Sequence, residues 1–559
     1  MIKKIISGRL KTLSGLHIGS GDFSGTTDAP INRNIDGGIV IPGTALAGSL
    51  RTLATRLAPH IAGKRCIAFD ENTSAESCDC LVCGLFGSIN TAGSSDQGSA
   101  SKIWFRDAFF EGEYDLKTSI RDGVGIDRET GSSARAARAK YDYEVIPKGS
   151  KFSFQLVFED VLGPEEENIL ACVLQEWCAG RGYLGGNKAR GLGNVKLEDI
   201  KLYTVNLSDK DRLMKYLKES NPIKAAVEKE NWLSSKLGSI KSRAGEKDDV
   251  LYNSFVQVDF TLKFTGGLVI NDPLKAVQSG FDLCPKMEHD TFIIPGSSLR
   301  GALRSHAEKI ARTMVTLNSK TDEEFLKKCP ACNPFANQDN ALTSCSSLFR
   351  ENKRKDSNVE VRDAQLCLAC QLFGSPDKAS RLYISDAYLT DPAKVKIMDF
   401  LAIDRFTGGG KEGAKFDAVV LWRPSFEVRI FMENTKEWHL GWLLLVLKDL
   451  NDGLVSFGFW QNKWFGKAKT ENESLKFGAV SQDFLPSGLK VSSSREGLFT
   501  TQVLTLKDLN GQAGDPCLSW IKSFHETISD FQRKKDFCLP KDTYFQEELV
   551  ELYPKEVLL

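Results

Sequence analysis

The alternation of apolar and polar residues predicts short strands separated by amphipathic helices. Residues 3–13 and 144–159 alternate between apolar and polar side chains, as half-buried strands do. Residues 103–110 and 195–205 are also predicted to be strands. Residues 164–179 begin with a proline and three glutamates and continue with apolar residues. This predicts a helix whose acidic residues lie at its positive end.

A Pro-Gly turn followed by a helix occurs twice and organises both halves of the chain. Ile-Pro-Gly-Thr-Ala-Leu-Ala-Gly-Ser-Leu-Arg occupies residues 41–51, and Ile-Pro-Gly-Ser-Ser-Leu-Arg-Gly-Ala-Leu-Arg occupies residues 294–304. We expect Thr44 and Ser297 to cap these helices. A helix N-terminus of this kind can bind a phosphate. The alternative is a well-capped helix with only a structural role.

Three further landmarks recur in the same order. They are Cys-x-x-Cys-x-Leu-Phe-Gly-Ser, a short strand leading into Asp-Ala, and an Ile-Asp-Arg segment, at residues 80–88, 105–109 and 126–131 and again at 367–375, 384–388 and 403–408. Such self-similarity indicates an internal duplication. We therefore predict a first domain at 1–205, a linker at 206–250, a second domain at 251–480 and a C-terminal extension at 481–559.

The order of the predicted elements indicates the fold class. Each half is predicted to run strand, helix, strand, strand, helix, strand, with long insertions, which is the ferredoxin-like pattern of many RNA-binding domains. The predicted fold is α+β, with two tandem ferredoxin-like (RRM-like) domains.

Composition limits the choice of partners. Lysine and arginine together number 73, as do aspartate and glutamate, so nucleic-acid binding must depend on local patches. The chain lacks a run of 18 apolar residues, and its first apolar stretch is too short for a signal peptide. We expect a cytosolic protein without a membrane partner, in which the 14 cysteines do not form disulfides.

The cysteines form two groups with the spacing of zinc sites. Four cysteines in the first half predict one structural Zn²⁺ site, and two Cys-x-x-Cys pairs in the second half predict another. Cys345 is a spare or competing ligand in the second group. The predicted ligands are Cys66, Cys78, Cys80 and Cys83, and Cys329, Cys332, Cys367 and Cys370.

Two segments carry local positive charge. Residues 130–141 contain cations among small residues and no acid, which is typical of a mobile basic arm or of a solvated loop. Residues 180–193 are rich in glycine, with three cations and no acid, so their backbone could approach a phosphate closely. In the second half, aromatic residues at 457–465 replace glycines, which favours stacking on a base or packing on a neighbour.

Together these landmarks resemble the RAMP superfamily, the repeat-associated proteins of CRISPR systems. The resemblance is to the backbone subunit of type III effector complexes, and the duplication is similar to the fused subunits of type III-D variants. Its motifs are Leu-His-Ile-Gly-Ser-Gly-Asp from residue 16, Thr-Asp-Ala-Pro-Ile from residue 27, and Gly-Gly-Asn-Lys-Ala-Arg-Gly-Leu-Gly from residue 185, with the repeated landmarks given above.

The resemblance implies how RNA is held. The palm domains would hold guide RNA, the capped helices and glycine loop would contact its phosphates, and the cysteines would form zinc knuckles. The arm after Ile-Asp-Arg would be a thumb that enters the guide–target duplex every six nucleotides. The RNA-contacting residues predicted on this basis are His17, Ser49, Arg51, Arg128, Arg135, Arg138, Lys188, Arg190, Arg300, Arg304, Arg405 and Lys463.

The resemblance also implies a reaction. A loop aspartate of this family cleaves target RNA with a divalent metal such as Mg²⁺, and the family position falls on Asp28 and, in the second copy, on Asp282. Asp272 competes with Asp282 because it also precedes a proline. Aspartate titrates at about 4 and is a weak base at neutral pH, so we expect it to orient the attacking 2′-hydroxyl or hold the metal.

The expected partners are guide RNA, complementary target RNA and other type III subunits, including neighbouring backbone subunits, a large signalling subunit and small subunits. The expected location is the prokaryotic cytoplasm. Two alternatives are a purely structural RNA-binding subunit with one or no active site, and a guide-processing nuclease that would use His17 as a base.

Overall fold

The computed structural model of this chain describes residues 1–21, 27–62, 66, 78, 80–88, 98–112, 116–127, 132–134, 140–219, 221–240, 251–334, 342–355, 363–486, 489, 494–510 and 516–532. None of the helices in these ranges combines the length and apolar character that crossing a membrane requires.

The first copy runs from the N-terminus to residue 206. Its strands are β1 (Ile2–Thr12), β2 (Val40–Ile41), β3 (Ile103–Phe105), β4 (Ala108–Phe109), β5 (Ser119–Val124), β6 (Lys140–Val145), β7 (Lys151–Glu159), β8 (Gly182–Tyr183) and β9 (Asn194–Asn206). Its helices are α1 (Gly43–Leu57), α2 (Pro59–Ala62), α3 (Leu81–Phe86) and α4 (Pro164–Cys178).

The central sheet of this copy is antiparallel, in the order β9–β1–β7–β3. β1 lies in the middle and pairs with β7 through Ile6↔Leu156 and with β9 through Ile6↔Leu202. Counting these four strands along the chain gives the spatial order 4-1-3-2, with α1 following the first strand and α4 the third. This is the ferredoxin-like arrangement, so the predicted fold class is confirmed.

The sheet and its helices bury one apolar core because their side chains repeat at matching periods. In α1, Leu46, Leu50, Ala54 and Leu57 lie on one helical face and are buried. They belong to the same buried cluster as Leu10 of β1. Full burial of each such leucine contributes roughly 1.5–3 kcal/mol.

The linker is structured in part. It contains α5 (Lys210–Lys218), β10 (Val227–Lys229) and α6 (Trp232–Ser239). β10 extends the first sheet by pairing with β9. α6 buries Trp232, and its Lys236 pairs with Glu167 of α4. The linker therefore packs against the first copy.

The second copy repeats the arrangement. Its strands are β11 (Ser254–Phe264), β12 (Gly267–Leu268), β13 (Met287–Glu288), β14 (Thr291–Ile294), β15 (Leu382–Ile384), β16 (Ala387–Leu389), β17 (Lys394–Ile403), β18 (Gly410–Trp422), β19 (Ser425–Glu433) and β20 (Ala468–Ala479). Its helices are α7 (Pro273–Ser279), α8 (Gly296–Leu317), α9 (Asp322–Lys328), α10 (Cys345–Lys355), α11 (Leu368–Phe373) and α12 (Glu437–Asn451). Read from β20, the order β20–β11–β19–β16 is again 4-1-3-2.

The C-terminal extension completes the second sheet. It contains β21 (Ser494–Glu496), β22 (Phe499–Thr505), α13 (Leu506–Asn510) and α14 (Pro516–Asp530). β22 pairs with β20, and α14 buries Trp520 and Phe524. The Phe524 ring stacks on Trp442 of α12 at 5.1 Å. The described part of the extension thus packs on the second copy, and Glu496 of β21 also pairs with Arg181 of the first copy.

The two copies meet at a surface that we call the joint. The first copy contributes β5 and the glycine-rich loop at 180–193, and the second contributes β13, β15, β16 and the start of α8. At its centre the buried Arg121 donates from Nη1 and Nη2 to the carboxylate of Asp386 at 3.0 and 2.8 Å. Its Nε donates to Glu288. Burial disfavours the charge of Arg121, but these two carboxylates outweigh that effect and raise its pKa.

Candidate functional site

A two-stranded hairpin projects from each copy, and an aspartate from a distant loop lies at its base. The first hairpin is β5–β6 and the second is β17–β18. Their registers match: Asp122 faces Asp142 in the first, and Asp399 faces Asp417 in the second. Asp142 and Asp417 therefore occupy equivalent positions in the two copies.

The loop aspartates pair with these hairpin aspartates reciprocally. The amide of Asp28 donates to Asp142 Oδ1 at 2.8 Å, and the amide of Asp142 donates to Asp28 Oδ2 at 3.1 Å. The second copy repeats the arrangement, with 3.0 Å from the Asp282 amide to Asp417 Oδ1 and 2.9 Å from the Asp417 amide to Asp282 Oδ2. Each pair fixes two carboxylates side by side without a direct hydrogen bond between them.

Hydrogen bonds hold the Asp142 side chain as a carboxylate. The Thr27 hydroxyl donates to Asp142 Oδ1 at 2.7 Å, and together with the Asp28 amide it lowers the pKa of Asp142. Asp28 and Asp282 are exposed. Within the described part of the chain, each of these two side chains uses only Oδ2 in its pair. The other oxygen faces no described donor, and carboxylate oxygens of this kind are the ligands that Mg²⁺ prefers. The donor set therefore fits a hard divalent cation.

Asp272, the competing residue of the second copy, has a different role. Its side chain accepts from the Lys275 amide at 3.3 Å and caps α7. It also forms an ion pair of 3.0 Å with Lys286, and the residue is 8% exposed. Asp282, not Asp272, therefore stands in the position equivalent to Asp28.

The predicted helix caps are wrong. α1 and α8 begin at Gly43 and Gly296, and neither has a capping bond from its own Thr or Ser side chain. Instead the amide of Gly43 donates to Asp107 at 2.7 Å, and the amide of Gly296 donates to Asp386 at 2.8 Å. The Asp-Ala landmark is thus the cap of the helix, and it competes with a phosphate for the first helical amide.

Four cysteines of the first copy converge as predicted. The sulfurs of Cys66, Cys78, Cys80 and Cys83 all lie within 4.8 Å of one another, and those of Cys66 and Cys83 are 3.6 Å apart. Tetrahedral Zn–S bonds of about 2.3 Å imply sulfur separations of about 3.8 Å. Burial and the adjacent Cys66 raise the pKa of Cys83 to about 11. A bound divalent cation would reverse this effect by stabilising the thiolate.

The second cluster differs from the prediction in one ligand. It consists of Cys332, Cys345, Cys367 and Cys370, so Cys345 takes the place predicted for Cys329. Cys329 is buried, and its sulfur donates to the carbonyl of Ala331 at 3.2 Å. The start of α10 brings Cys345 to the cluster, where its sulfur accepts from the Cys367 amide at 3.4 Å. The sequence spacing favoured Cys329, which forms a Cys-x-x-Cys pair with Cys332, and indicated Cys345 only as a spare or competing ligand.

Comparison with known proteins gives the family. The profile described as "RAMP superfamily" matches residues 9–196 and 286–469, which together make up more than half of the chain. The chain belongs to the RAMP superfamily. The two matched segments fall on the two copies, so the predicted family and its duplication are confirmed.

Two relatives of known name each match less than half of this chain. The chain is 29% identical over 246 residues to the "CRISPR system Cms endoribonuclease Csm3" of Methanocaldococcus jannaschii, covering 43% of this chain and 96% of that protein. It is 31% identical over 221 residues to the protein of the same name from Mycobacterium tuberculosis, covering 35% of this chain and 86% of that protein. Each relative thus corresponds to about one copy.

The residues predicted to contact RNA fall into three groups according to their exposure and their contacts within the protein. The first group is exposed and available. Arg190 lies at the tip of the glycine loop and donates to the Tyr141 hydroxyl. Arg405 lies at the tip of the second hairpin. Lys463 is exposed but lies over three aromatic rings, with Nζ 4.4 Å from the centre of Phe400.

The second group is engaged inside the protein. His17 is 9% exposed, and its Nδ1 lies 2.7 Å from the Glu144 carbonyl. Ser49 donates to the Tyr183 carbonyl at 2.6 Å and ties α1 to β8. Lys188 is half-buried, and burial lowers its pKa while Glu433 opposes the shift. These three residues shape the palm and the glycine loop rather than project from them.

The arginines of the capped helices belong to the same engaged group. Arg300 donates to the carbonyls of Ala189 and Leu382 across the joint, and burial lowers its pKa to about 9. Arg51 donates to the sulfur of Cys83 at 3.6 Å, and Arg304 donates to that of Cys370 at 3.7 Å. The positive charge of one arginine beside each cysteine cluster would stabilise thiolates there. Arg51 and Arg304 therefore suit a role beside a bound metal rather than on RNA.

The third group lies outside the described residues. It comprises Arg128, Arg135 and Arg138, which lie between β5 and β6 in the sequence.

Sequence reasoning missed the partners Asp142 and Asp417. They lie 114 and 135 positions from Asp28 and Asp282, so no local spacing connects them. The available signal was weak: each aspartate follows an aromatic residue in a segment that alternates as a strand.

Proposed function

We propose that this chain is a double backbone subunit of a type III CRISPR effector that binds guide RNA and cleaves the paired target RNA at two positions. The observation that carries the proposal is the repeated aspartate pair, Asp28 with Asp142 and Asp282 with Asp417. Relatives about the length of one copy bear the name endoribonuclease. Two copies in one chain then give two sites, at the family spacing of six nucleotides.

The second hairpin supports the placement of a site at its base. Its tip carries Phe406, which is fully exposed, next to Ile403, which is 67% exposed. Exposed apolar side chains on a projecting hairpin can separate stacked bases. A displaced base frees its ribose, so the 2′-hydroxyl can align with the adjacent phosphate. Cleavage of this kind leaves a 2′,3′-cyclic phosphate.

The aspartates position the reacting groups. Asp28 would hold the 2′-hydroxyl through its outward oxygen, while its other oxygen stays fixed by the Asp142 amide. Asp142 is held as a carboxylate by Thr27 and the Asp28 amide. A divalent cation bound to the two carboxylates would supply positive charge against the phosphate during attack. The proposal gives His17 a structural role, because the residue is 9% exposed and its Nδ1 lies 2.7 Å from the Glu144 carbonyl.

The cysteine clusters complete the proposal as two structural zinc sites. Four thiolates leave no open position for a substrate, so the ions would stabilise the knuckles and take no part in cleavage.

The test is cleavage of labelled complementary RNA by the assembled complex. Asp28→Ala should remove one product band and Asp282→Ala the other, while the double variant should remove both. Target binding should be retained because an aspartate beside a phosphate contributes no attraction in the ground state. Product ends should be 2′,3′-cyclic.

Matched controls lie close to each site. Asp36 and Asp290 are exposed loop aspartates outside the pairs, so Asp36→Ala and Asp290→Ala should leave both bands unchanged. Persistence of both bands in Asp28→Ala would refute its role. Absence of the second band from the unmutated complex would instead assign the second copy to RNA binding alone.

A further inference from the structure

The duplication provides a template for how one copy contacts the next. At the joint, Asp386 receives Arg121 of the first copy, and Tyr383 stacks on Tyr183 at 4.8 Å between ring centres. The backbones also touch: a Cβ added at Gly191 would lie 2.8 Å from the Gly296 Cα and 2.6 Å from Asp386. A glycine at position 191 is therefore required for this contact.

The first copy also has the surface that the second copy contributes to the joint, and in the first copy this surface is exposed. We call it the head face. Asp107 corresponds to Asp386, Trp104 to Tyr383 and Phe109 to Tyr388 in the repeated landmarks. Asp107 accepts from the first amide of α1, as Asp386 does from that of α8. Asp386 is 3% exposed, whereas Asp107 is exposed, Trp104 is 49% exposed and Phe109 is 51% exposed. No lysine or arginine in the described ranges forms an ion pair with Asp107.

The second copy also has the surface that the first copy contributes to the joint, and we call it the tail face. The tail face lacks the groups with which the first copy contacts the second. Because Asp399 corresponds to Asp122 in the hairpin register, Met398 stands in the position of Arg121. The loop at 455–466 also aligns with that at 182–193, since both have positive φ at the same positions, including Gly185 and Gly458, and Gly193 and Gly466.

This alignment places a tryptophan where the joint requires glycine. Trp464 occupies the position of Gly191, with φ of 64°, and is 78% exposed. Ser456 occupies the position of Tyr183. A tail face docked on a head face would therefore put an indole into a backbone contact and leave Asp107 buried without a cation. Such an unpaired buried charge is strongly unfavourable.

We propose that the head face docks a different chain, whose contacting loop carries glycine at the Gly191 position and whose hairpin carries an arginine for Asp107. The same mismatch prevents this chain from stacking on itself, since its own tail face has Trp464 and Met398. The occupant is thus a backbone-type domain with the contacts of the first copy. This inference concerns assembly and does not depend on cleavage at either aspartate pair.

The experiment gives the tail face the residues of the first copy. A variant with Met398→Arg, Ser456→Tyr and Trp464→Gly also carries Asp107→Lys, so it can dock through its tail face but cannot accept a partner at its head face. Mixed with the native chain, it should form a 1:1 complex by sedimentation equilibrium. The native chain alone should be a monomer at all concentrations.

Two comparisons make the result specific. Restoring Met398 in the variant should weaken the complex on the order of a hundredfold, because Asp107 then loses its charged partner. Adding Asp107→Lys to the native component should abolish the complex. Circular dichroism and zinc content of each variant verify folding. A well-folded variant that does not bind the native chain overturns the proposal. Self-association of the native chain that Asp107→Lys abolishes also overturns it.

Discussion

At the scale of single residues, the sequence indicated which side chains belong to a site better than it indicated which residues they contact. Asp28 and Asp282 stood out because each precedes a proline in a polar loop, and the structure places them in equivalent pairs. Arg51 and Arg304 were assigned to RNA because the family resemblance implied that the capped helices contact guide phosphates. Their guanidinium groups instead face cysteine sulfurs, a contact that depends on long-range folding.

The revised second cluster gives a prediction about zinc content. Cys345→Ser should lower the zinc bound per chain from two to about one, because three thiolates hold Zn²⁺ much more weakly than four. Cys329→Ser should leave both ions in place, since that sulfur lies outside the cluster. Metal analysis of the two purified variants compares matched cysteine changes in one region. Loss of zinc in Cys329→Ser with retention in Cys345→Ser would restore the ligand set expected from spacing.

The glycine loop gives a second prediction at this scale. Arg190→Glu should weaken guide RNA retention and lower the salt dependence, because the exposed guanidinium can neutralise a phosphate. Lys188→Glu should mainly disturb folding, because its side chain is half-buried near Glu433 of the second copy. Filter binding at several salt concentrations, together with thermal unfolding, separates the two effects. Equal loss of RNA binding with unchanged stability in both variants would contradict this distinction.

At the scale of elements, periodicity predicted the main strands and helices because each buries one apolar face. β1, β9 and α4 lie close to their predicted limits, whereas the strand predicted at 144–159 is divided between the end of β6 and β7. The added strands were not predicted, since β10 is Val-Glu-Lys and β21 is Ser-Arg-Glu, and neither has an apolar face. Short charged segments of this kind are typical of sheet edges, where backbone hydrogen bonds and surface ion pairs hold them.

The linker helix α6 provides a prediction that depends on pH. Burial disfavours the Glu167 carboxylate, but Lys236 and Lys4 outweigh that effect and lower its pKa from 4.5. A lowered pKa in the folded protein stabilises the contact above pH 4.5, and this stabilisation is lost as the pH falls through the lower value. The protection factors of the α6 amides, which relate the observed exchange rate to the intrinsic rate at the same pH, should therefore be high at neutral pH and fall under acid conditions.

A substitution isolates that contact at neutral pH. Glu167→Gln should speed exchange across α6 by roughly fivefold, equivalent to about 1 kcal/mol, because the neutral amide pairs weakly with Lys236. Glu165→Gln, an exposed change in the same helical turn, should have no effect on α6. Equal protection in both variants would show that Trp232 packing alone holds the helix.

At the scale of the whole molecule, the duplication was evident from repeated landmarks, but the joint was not. Its central residue, Arg121, precedes the basic arm predicted at residues 130–141, and its partners Asp386 and Glu288 lie 265 and 167 positions away. The Asp-Ala landmark was recognised only as a recurring motif. Its two functions, capping a helix and receiving an arginine from the preceding copy, become apparent only when both copies are placed together.

The joint gives a final prediction, Arg121→Met, which installs the residue that the second copy has at the equivalent position. Loss of the cation leaves Asp386 and Glu288 buried without a charged partner, which costs about 3–5 kcal/mol. We expect the urea midpoint to fall at pH 7 and the two copies to unfold in separate steps. Arg9→Met, which removes an exposed arginine paired with Asp199, should leave the midpoint unchanged.

The pH dependence of this variant provides the check. In the native chain Arg121 lowers the pKa of Glu288, so its stabilising effect persists down to about pH 4.5 and is lost below it. In Arg121→Met the pKa of Glu288 should instead lie above its unfolded value, and the pKa of Asp386, which burial already raises in the native chain, should rise further, because burial then acts without the opposing cation. Protonation then stabilises the folded form, so the deficit relative to the native chain should shrink between pH 7 and pH 5. A deficit that stays constant over this interval would mean that lost packing, and not unpaired charge, accounts for the effect.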